Sequence, residues 1–329
     1  MVRLPKTAAF ELTYRCNHQC LFCSCPWETD RHAKMSEMGT AECLKALETL
    51  AQHGTRSVSF TGGEPLLRTD LLEIIDHAVD LGFEVALVTN GRLLDRQKLE
   101  RLRSLGVNLS ISVPGIKTYE QLTGVDGPEH VLTMFEIARE LDMKATANIA
   151  VTKLNLPELY ENIAYPLISG AEHVLLNRFI LGGRGLGHQE LALSVREINL
   201  MLSTAEEVLS KAGKYGHVGT EIPHCVIREP EKYHYLQVST LCGAAKSFFD
   251  LDPSGYIKTC NHSDKRLVRY MEVDSLDENE YWNIFRNRNY RPVMCDGCND
   301  GGFCDGGCRE AASIYNGSVY SADPCFDSE

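Results

Sequence analysis

An α/β architecture, with a parallel sheet covered by helices and followed by a small cysteine-rich segment, follows from three features of the sequence. Strand-like and helix-like stretches alternate six times between residues 8 and 179, as consecutive βα units do when they build a parallel sheet with helices outside. Gly54, Gly82 and Gly106 stand where helices should end, because glycine tolerates the left-handed conformation that closes a helix. From Gly213 onward the chain turns to short segments rich in Cys, Gly, Asp and Asn.

Taken in order, the expected strands are Ala8–Tyr14, Ser57–Thr61, Glu84–Thr89, Asn108–Val113, Lys144–Val151 and His173–Phe179. Between them the helical patterns are Thr40–Gln52, Leu71–Leu81, Asp95–Leu105, His130–Leu141 and Leu156–Ile168. Leu44, Leu47 and Leu50 recur at helical spacing within the first. Gly182-Gly-Arg-Gly-Leu-Gly187 then reads as a flexible break and a mobile rim; it is a weak nucleotide fingerprint, since no helix opens directly on it. A helix over Leu193–Lys211 follows, and Asp252-Pro-Ser-Gly255 marks a turn between two strand-like pieces. The expected organisation is a core domain over residues 1–190, a bridging helix within 191–215 and a cysteine-rich domain over 216–329. No internal repeat or low-complexity tract is present.

The chain has 329 residues and 43% hydrophobic content, enough for one large domain plus a smaller one. Its 33 Lys and Arg against 45 Asp and Glu give a formal net charge of -12, which argues against a nucleic-acid partner. No apolar run is long enough to span a membrane. Met1-Val-Arg-Leu-Pro-Lys6 lacks the apolar core of a secretory signal, so a cytoplasmic location is expected. In that reducing compartment thirteen cysteines point to metal rather than disulfides.

The densest chemistry is Cys16-Asn-His-Gln-Cys20-Leu-Phe-Cys23, just after the first strand. Thiolates are the soft ligands of iron–sulfur clusters, and four fill a 4Fe–4S cube. Three leave one iron without a protein ligand, open to a substrate or cofactor. Disulfides and zinc are the competing readings; zinc sites usually pair two C-x2-C knuckles or add His. A second motif, Gly62-Gly63-Glu64-Pro65, directly follows the strand-like Arg56–Thr61.

These two ordered motifs resemble the signatures of the radical S-adenosylmethionine (SAM) superfamily, and the resemblance runs from about residue 8 to the last cysteine. It implies a partial (β/α)6 TIM-like barrel. It also implies that Cys16, Cys20 and Cys23 hold a 4Fe–4S cluster whose free iron chelates the methionine part of SAM. One electron from that cluster then cleaves SAM to a 5′-deoxyadenosyl radical. Sites in such sheets form at the C-terminal strand ends. The cysteine loop, Gly62–Pro65, Thr89-Asn90-Gly91 and Phe179–Arg184 all fall there. Gly62 and Gly63 would let the backbone approach SAM closely. Glu64 would accept a hydrogen bond from the SAM amino group or fix its loop. Ser112 matches the strand end where relatives contact the ribose, although Pro114 stands where relatives frequently carry an Asp. Asn148 lies on the next strand. Arg178 on the last suits SAM's carboxylate, since a guanidinium fork fits a planar anion. Tyr14 and Phe22 are expected to pack the cluster or the adenine, Trp27 to wall the substrate cavity, Cys25 to be a bystander or redox-exposed thiol, and Cys43 to be core.

A second cysteine field holds Cys225, Cys242, Cys260, Cys295, Cys298, Cys304, Cys308 and Cys325. It contains thiolate enough for two closed cubes, and a segment with so little apolar periodicity needs such staples. Zinc ribbons are the alternative. The field resembles the seven-cysteine SPASM pattern of radical SAM enzymes that mature peptides and proteins, with a β-hairpin and two auxiliary 4Fe–4S clusters. The resemblance implies three clusters in all. Cys242, Cys260 and Cys308 would ligate the first auxiliary cluster, and Cys295, Cys298, Cys304 and Cys325 the second. Cys225 would be the fourth ligand of the first auxiliary cluster or a free thiol that donates a hydrogen atom.

Auxiliary clusters suit reactions whose product radical must lose an electron, which favours oxidative crosslinking of a ribosomally made peptide through a thioether or carbon–carbon bond. Asn261 stands where anaerobic sulfatase maturases carry an Asp, and Cys304 where the pyrroloquinoline-quinone peptide crosslinkers carry one. The first departure counts against the sulfatase maturases, and the all-cysteine set argues for a relative of the crosslinkers. With fifteen residues before Cys16, a leader peptide is expected to be held by the barrel, the cysteine-rich domain or a separate leader-binding protein. A flavodoxin or ferredoxin is the expected reductant. The competing expectations are a radical epimerase or dehydrogenase acting on a peptide or small molecule, and a non-catalytic iron–sulfur or zinc scaffold.

Overall fold

β1 (Thr7–Glu11), β2 (Ser57–Thr61), β3 (Glu84–Thr89), β4 (Asn108–Ser112), β5 (Ala145–Val151) and β6 (His173–Arg178) all form. Burial alternates along β2 to β6, one face sealed and the other half-open, as a period-two side-chain pattern requires, while the expected first strand ends at Glu11, short of Tyr14, with residues 10–14 all buried. The computed structural model describes residues 2–28 and 36–326. Val58, Phe60, Leu87, Ile111, Ile149 and Val174 are on the sealed face. Ser59, Thr61, Ser112, Thr146, Asn148 and Asn177 are on the half-open one, where small and polar side chains leave room for a ligand.

The helices are α1 (Thr40–Gln52), α2 (Leu71–Asp80), α3 (Arg96–Ser104), α4 (Tyr119–Thr123), α5 (Glu129–Glu140), α6 (Leu159–Ser169) and α7 (Val195–Ala212). α1 buries Cys43, Ala46, Leu47 and Leu50, and burial pushes the Cys43 thiol up to about 11. α3 opens on Asp95, whose side chain accepts from Lys98 N at 2.8 Å. α7 opens on a Ser194–Glu197 capping box and closes on Gly213 at φ 61°. Residues 156–158, expected as helix, form a 3₁₀ turn before α6, with Pro157 in the turn.

Two compact units emerge, each discontinuous in sequence. The first comprises Met1–Asn17, Cys25–Ser110 and Gly243–Asn289; the second comprises His18–Ser24, Ile111–Cys242 and Tyr290–Glu329. In the first, β1 pairs in parallel with β2, and β2 with β3. β9 (Phe248–Leu251) pairs in parallel with the other edge of β1 and antiparallel with β10 (Tyr256–Lys258), which pairs with β11 (Val268–Arg269). The Asp252–Gly255 turn closes as expected: the Asp252 carboxylate accepts from Ser254 N and Tyr256 N, both at 2.9 Å, and Gly255 adopts φ 86°. The hairpin is therefore sheet, continuing the strand order beside β1. α8 (Glu280–Arg286) packs Trp282 edge-on to Phe249.

In the second unit β5, β6, β7 (Tyr215–Val218) and β8 (Leu236–Val238) pair in parallel in that order. Ile149, Val174, Leu176, Met201, Leu202 and Val218 share one core with Cys325. α9 (Arg309–Asn316) is the last helix.

Under the hairpin of the first unit lies a buried ion cluster. Lys258 Nζ stands 3.0 Å from Glu11 Oε2 and 2.9 Å from Asp250 Oδ2, with the Trp27 ring 5.9 Å away. Burial drives both carboxyls up while they hold the ammonium charged. Removing one partner strands a buried charge, so Lys258→Met should cost roughly 3–5 kcal/mol, read by chemical denaturation. A wild-type midpoint would refute this account of how β1, β9 and β10 are joined.

Candidate functional site

The segment leading to Cys16 has no regular structure, so its backbone groups must find other partners. Glu37 Oε1 accepts from Thr13 Oγ1 at 2.9 Å and from Tyr14 N at 2.8 Å. Arg68 Nη1 donates to the carbonyls of Leu12 and Met38 at 2.9 and 3.0 Å, and its fork is held by Asp70. Gly63 N donates to Thr13 O and Glu64 N to Arg15 O, each at 2.8 Å. The two glycines are obligatory for this contact. A Cβ on Gly63 would stand 2.1 Å from Arg15 O, and one on Gly62, which adopts φ 126°, 2.7 Å from Thr13 O. Asn90 Nδ2 donates to Asn17 Oδ1 at 2.7 Å.

Glu64 is fully buried. Its carboxylate accepts from Thr89 Oγ1 at 2.7 Å, Asn90 N at 2.8 Å and Leu66 N at 3.0 Å. Burial nonetheless raises it above the usual carboxylate range. Of its two expected roles it performs the loop-fixing one, joining the ends of β2 and β3.

In the second unit the stretch carrying Cys20 and Cys23 is clasped on two sides. Gln19 N donates to Thr123 O at 2.8 Å and Leu21 N to Leu122 O at 2.9 Å. Gly185 N donates to Cys23 O and Arg184 Nη1 to Cys20 O, both at 3.1 Å. The Gly182–Gly187 segment, expected as a mobile rim, is thus a 3₁₀ turn that grips the cysteine loop. Its glycines permit the approach: a Cβ on Gly185 would meet Phe179 at 2.8 Å. Phe22 packs with Phe179 and Leu191 in a small apolar cluster.

Ser112 ends β4 half-buried, and Val113 N donates to Asn148 O at 2.9 Å, setting the end of β4 beside the middle of β5. Asn148 is oriented by Asn177, whose Nδ2 donates to its Oδ1 at 3.1 Å. The loop after β4 is held by two residues that the motif reading missed. Glu158 accepts from the backbone N–H groups of Ile116, Lys117 and Thr118 at 3.1, 2.9 and 3.0 Å. Asn155 donates to the Pro114 carbonyl. The signal was Asn155-Leu-Pro-Glu158 after a strand, a turn-forming Asn followed by a carboxylate at a helix start.

Two expectations change. Arg178 is buried and its fork is spent inside the protein, on Asp323 Oδ2 at 2.5 Å and the Glu221 carbonyl at 2.8 Å. It therefore does not present a free fork to the SAM carboxylate. Trp27 is buried edge-on to Tyr14, with ring centroids 5.2 Å apart, instead of walling a cavity. Tyr14 is also buried, its hydroxyl accepting from Arg266 Nη2 at 3.1 Å. Cys25 Sγ is 3.9 Å from the Gly62 carbonyl, beside the glycine motif.

Cys304 Sγ accepts from His224 N and Gly306 N, both at 3.2 Å, as a cluster sulfur does. Arg291 Nη2 donates to the carbonyls of Cys295 and Cys298, at 2.5 and 3.0 Å, and shapes that loop. Cys225 lies near this group: burial and the neighbouring Cys304, Cys295 and Cys298 raise its thiol. Cys242 N donates to Asp305 Oδ2 at 2.7 Å, and Cys260 follows β10. Cys308, pushed up to about 12 by burial, and Cys325 donate their N–H groups to Asp323. Cys325 also borders a cavity of about 270 Å³. Soft donors and N–H···S bonds fit iron–sulfur cores. The glycine-lined approach and polar strand ends fit SAM.

Residues 10–163 match the model of the radical SAM superfamily. PqqA peptide cyclase of Bradyrhizobium diazoefficiens is 26% identical over 98% of this chain and 86% of its own length. PqqA peptide cyclase of Gluconobacter oxydans is 29% identical over 97% and 90%. The crystal structure of Streptococcus suis SuiB bound to S-adenosylmethionine is similar with a TM-score of 0.76 at 17% identity, covering 97% of this chain and 76% of that one. That last likeness is one of fold.

The Gly63 contact is backbone against backbone, so no side chain can yield. Gly63→Ala should fail to hold iron at the N-terminal cysteines on anaerobic reconstitution. Gly187→Ala, with nothing within 4 Å of its Cβ, should keep it. Equal iron content in the two variants would count against the proposed contact.

Proposed function

We propose that this chain is a radical SAM enzyme that modifies a ribosomally made peptide by hydrogen abstraction and oxidative crosslinking; residues 10–163 match that superfamily's model. The observation that carries the reading is the backbone of residues 13–15, leading into Cys16, seated on Gly62-Gly63-Glu64. Cys16, Cys20 and Cys23 would hold the SAM-cleaving cluster. When bound, that cluster supplies the electron that splits SAM into methionine and a 5′-deoxyadenosyl radical.

The chain's own residues bind and aim. Gly62 and Gly63 bring backbone to the methionine end, and Glu64 keeps that backbone in place. Ser112, at the end of β4, and Asn148, on β5, would hydrogen-bond the ribose and its neighbourhood. Glu158 and Asn155 keep the loop beyond Ser112 from collapsing into that space. Cys242, Cys260 and Cys308 form one auxiliary set, and Cys295, Cys298, Cys304 and Cys325 the other. Cys225 would be the fourth ligand of the first set or a free thiol that donates a hydrogen atom; the thiols that raise it, Cys304, Cys295 and Cys298, belong to the other set.

A peptide substrate is supported by the curated relatives, whose names specify a peptide. A separate leader-binding protein and a flavodoxin or ferredoxin reductant complete the proposal. Val293 and Phe303, each 74% exposed beside the second auxiliary set, offer a redox protein an apolar contact. Thirteen cysteines spaced as metal ligands fit a cytoplasmic location. Among the described residues no helix is long and apolar enough to cross a membrane.

The reduced, anaerobically reconstituted protein should release 5′-deoxyadenosine from SAM. Cys16→Ala/Cys20→Ala/Cys23→Ala should abolish release while auxiliary iron remains. With its peptide, the product should be lighter by two hydrogens in mass spectrometry. Release by the triple variant, or an unchanged peptide mass, would reject the corresponding part of the reading.

A further inference from the structure

Arg178 closes β6, and its side chain is 4% exposed; that of Asp323 is 0% exposed. Burying a guanidinium and a carboxylate together costs desolvation and is a weak source of stability. The remaining bonds of the pair point to a different use. Asp323 Oδ2 accepts from Arg178 Nη2 at 2.5 Å and from Cys308 N at 2.8 Å, while Oδ1 accepts from Cys325 N at 2.9 Å. Arg178 Nε and Nη2 donate to the Glu221 carbonyl at 3.2 and 2.8 Å, on the segment that leads into Cys225. Gly307 adopts φ 92°, and a Cβ there would stand 2.2 Å from Asp323 Oδ2. One carboxylate thus grips the backbones of two cysteines from different ligand sets. One guanidinium ties that carboxylate to the last βα strand of the core and to the approach to a third cysteine.

We propose that Arg178 and Asp323 are positioning residues for both auxiliary clusters, with Asp323 fixing Cys308 and Cys325 and Arg178 cancelling its charge so that neither cluster becomes harder to reduce. This rests on the ligand sets assigned above. A cluster gains negative charge when it accepts an electron, so a bare carboxylate at its ligands opposes reduction. Little solvent screens the interaction at a site this buried. Without Asp323 the two cysteine N–H groups lose their acceptor; without Arg178 the acceptor keeps its charge and faces both clusters uncompensated.

The test is an electron paramagnetic resonance reductive titration of the reconstituted holoprotein at alkaline pH. Arg178→Gln should lower the reduced-to-oxidised ratio of the auxiliary clusters about tenfold at a fixed potential, which is about 59 mV for a one-electron couple. The SAM-cleaving cluster should stay within about twofold of wild type. Arg178→Lys keeps the charge and should stay within about threefold of wild type, as should Arg178→Gln/Asp323→Asn, which removes both charges. An Arg178→Gln protein with full iron and unshifted auxiliary clusters would overturn the proposal. If Arg178→Gln binds no auxiliary iron, the Lys variant decides. With full iron, a wild-type ratio supports the charge role and a tenfold loss overturns it. A Lys variant that also binds no auxiliary iron would overturn it too, since charge alone would not suffice. Absence of iron from the Cys16→Ala/Cys20→Ala/Cys23→Ala protein would overturn the ligand sets first, and the proposal with them.

Discussion

Loops that carry cysteines to one place have no ladder of their own, and every buried N–H in them needs an acceptor. In this protein the acceptor is repeatedly a single carboxylate that gathers several donors. Glu64 joins the ends of β2 and β3. Glu158 takes three successive N–H groups of the loop after β4, Asp252 closes the hairpin turn, and Asp323 holds two cysteines. An ionised carboxylate suits this because it accepts on both oxygens and donates nothing. Burial opposes the charge at Glu64, where the hydrogen bonds offset only part of the cost. Such braces rigidify loops that would otherwise sample many conformations, and a cluster or a bound sulfonium needs its ligands held.

The glycines are the steric counterpart of the carboxylates. Gly62 and Gly63 let the backbone of one loop lie on the backbone of another, while Gly185 leaves room for the Phe179 ring. The first two contacts are main chain on main chain, so no different side chain can replace them. The site is therefore defined by main-chain geometry at one end and by thiol chemistry at the other.

The core was legible because its signals are local. Period-two burial on β2, β3 and β5, helical spacing in α1 and the glycine at the end of α7 each follow from a few neighbouring residues. Strands β7 and β8 escaped notice because they are four and three residues long, too short to show a period. The glycine-rich segment read as mobile because flexibility is intrinsic to its composition, whereas its order comes from Cys20 and Cys23, far away in sequence. Arg178 misled for a related reason: a guanidinium at a strand end suits any anion, and a distant aspartate had already taken it. Trp27 was read by its size and place in the chain, while its burial is decided by Tyr14 and Lys258.

The parallel pairing of β9 with β1 has a consequence for biosynthesis. Translation delivers the first strand long before residues 248–251, so during elongation one edge of that strand waits without its hydrogen-bonding neighbour. Glu11 likewise waits, its counter-ion Lys258 still inside or behind the ribosome. The nascent polypeptide thus holds an open β edge and an unneutralised carboxylate until the hairpin emerges, and completion of that sheet is coupled to the late arrival of the segment that also carries Cys260.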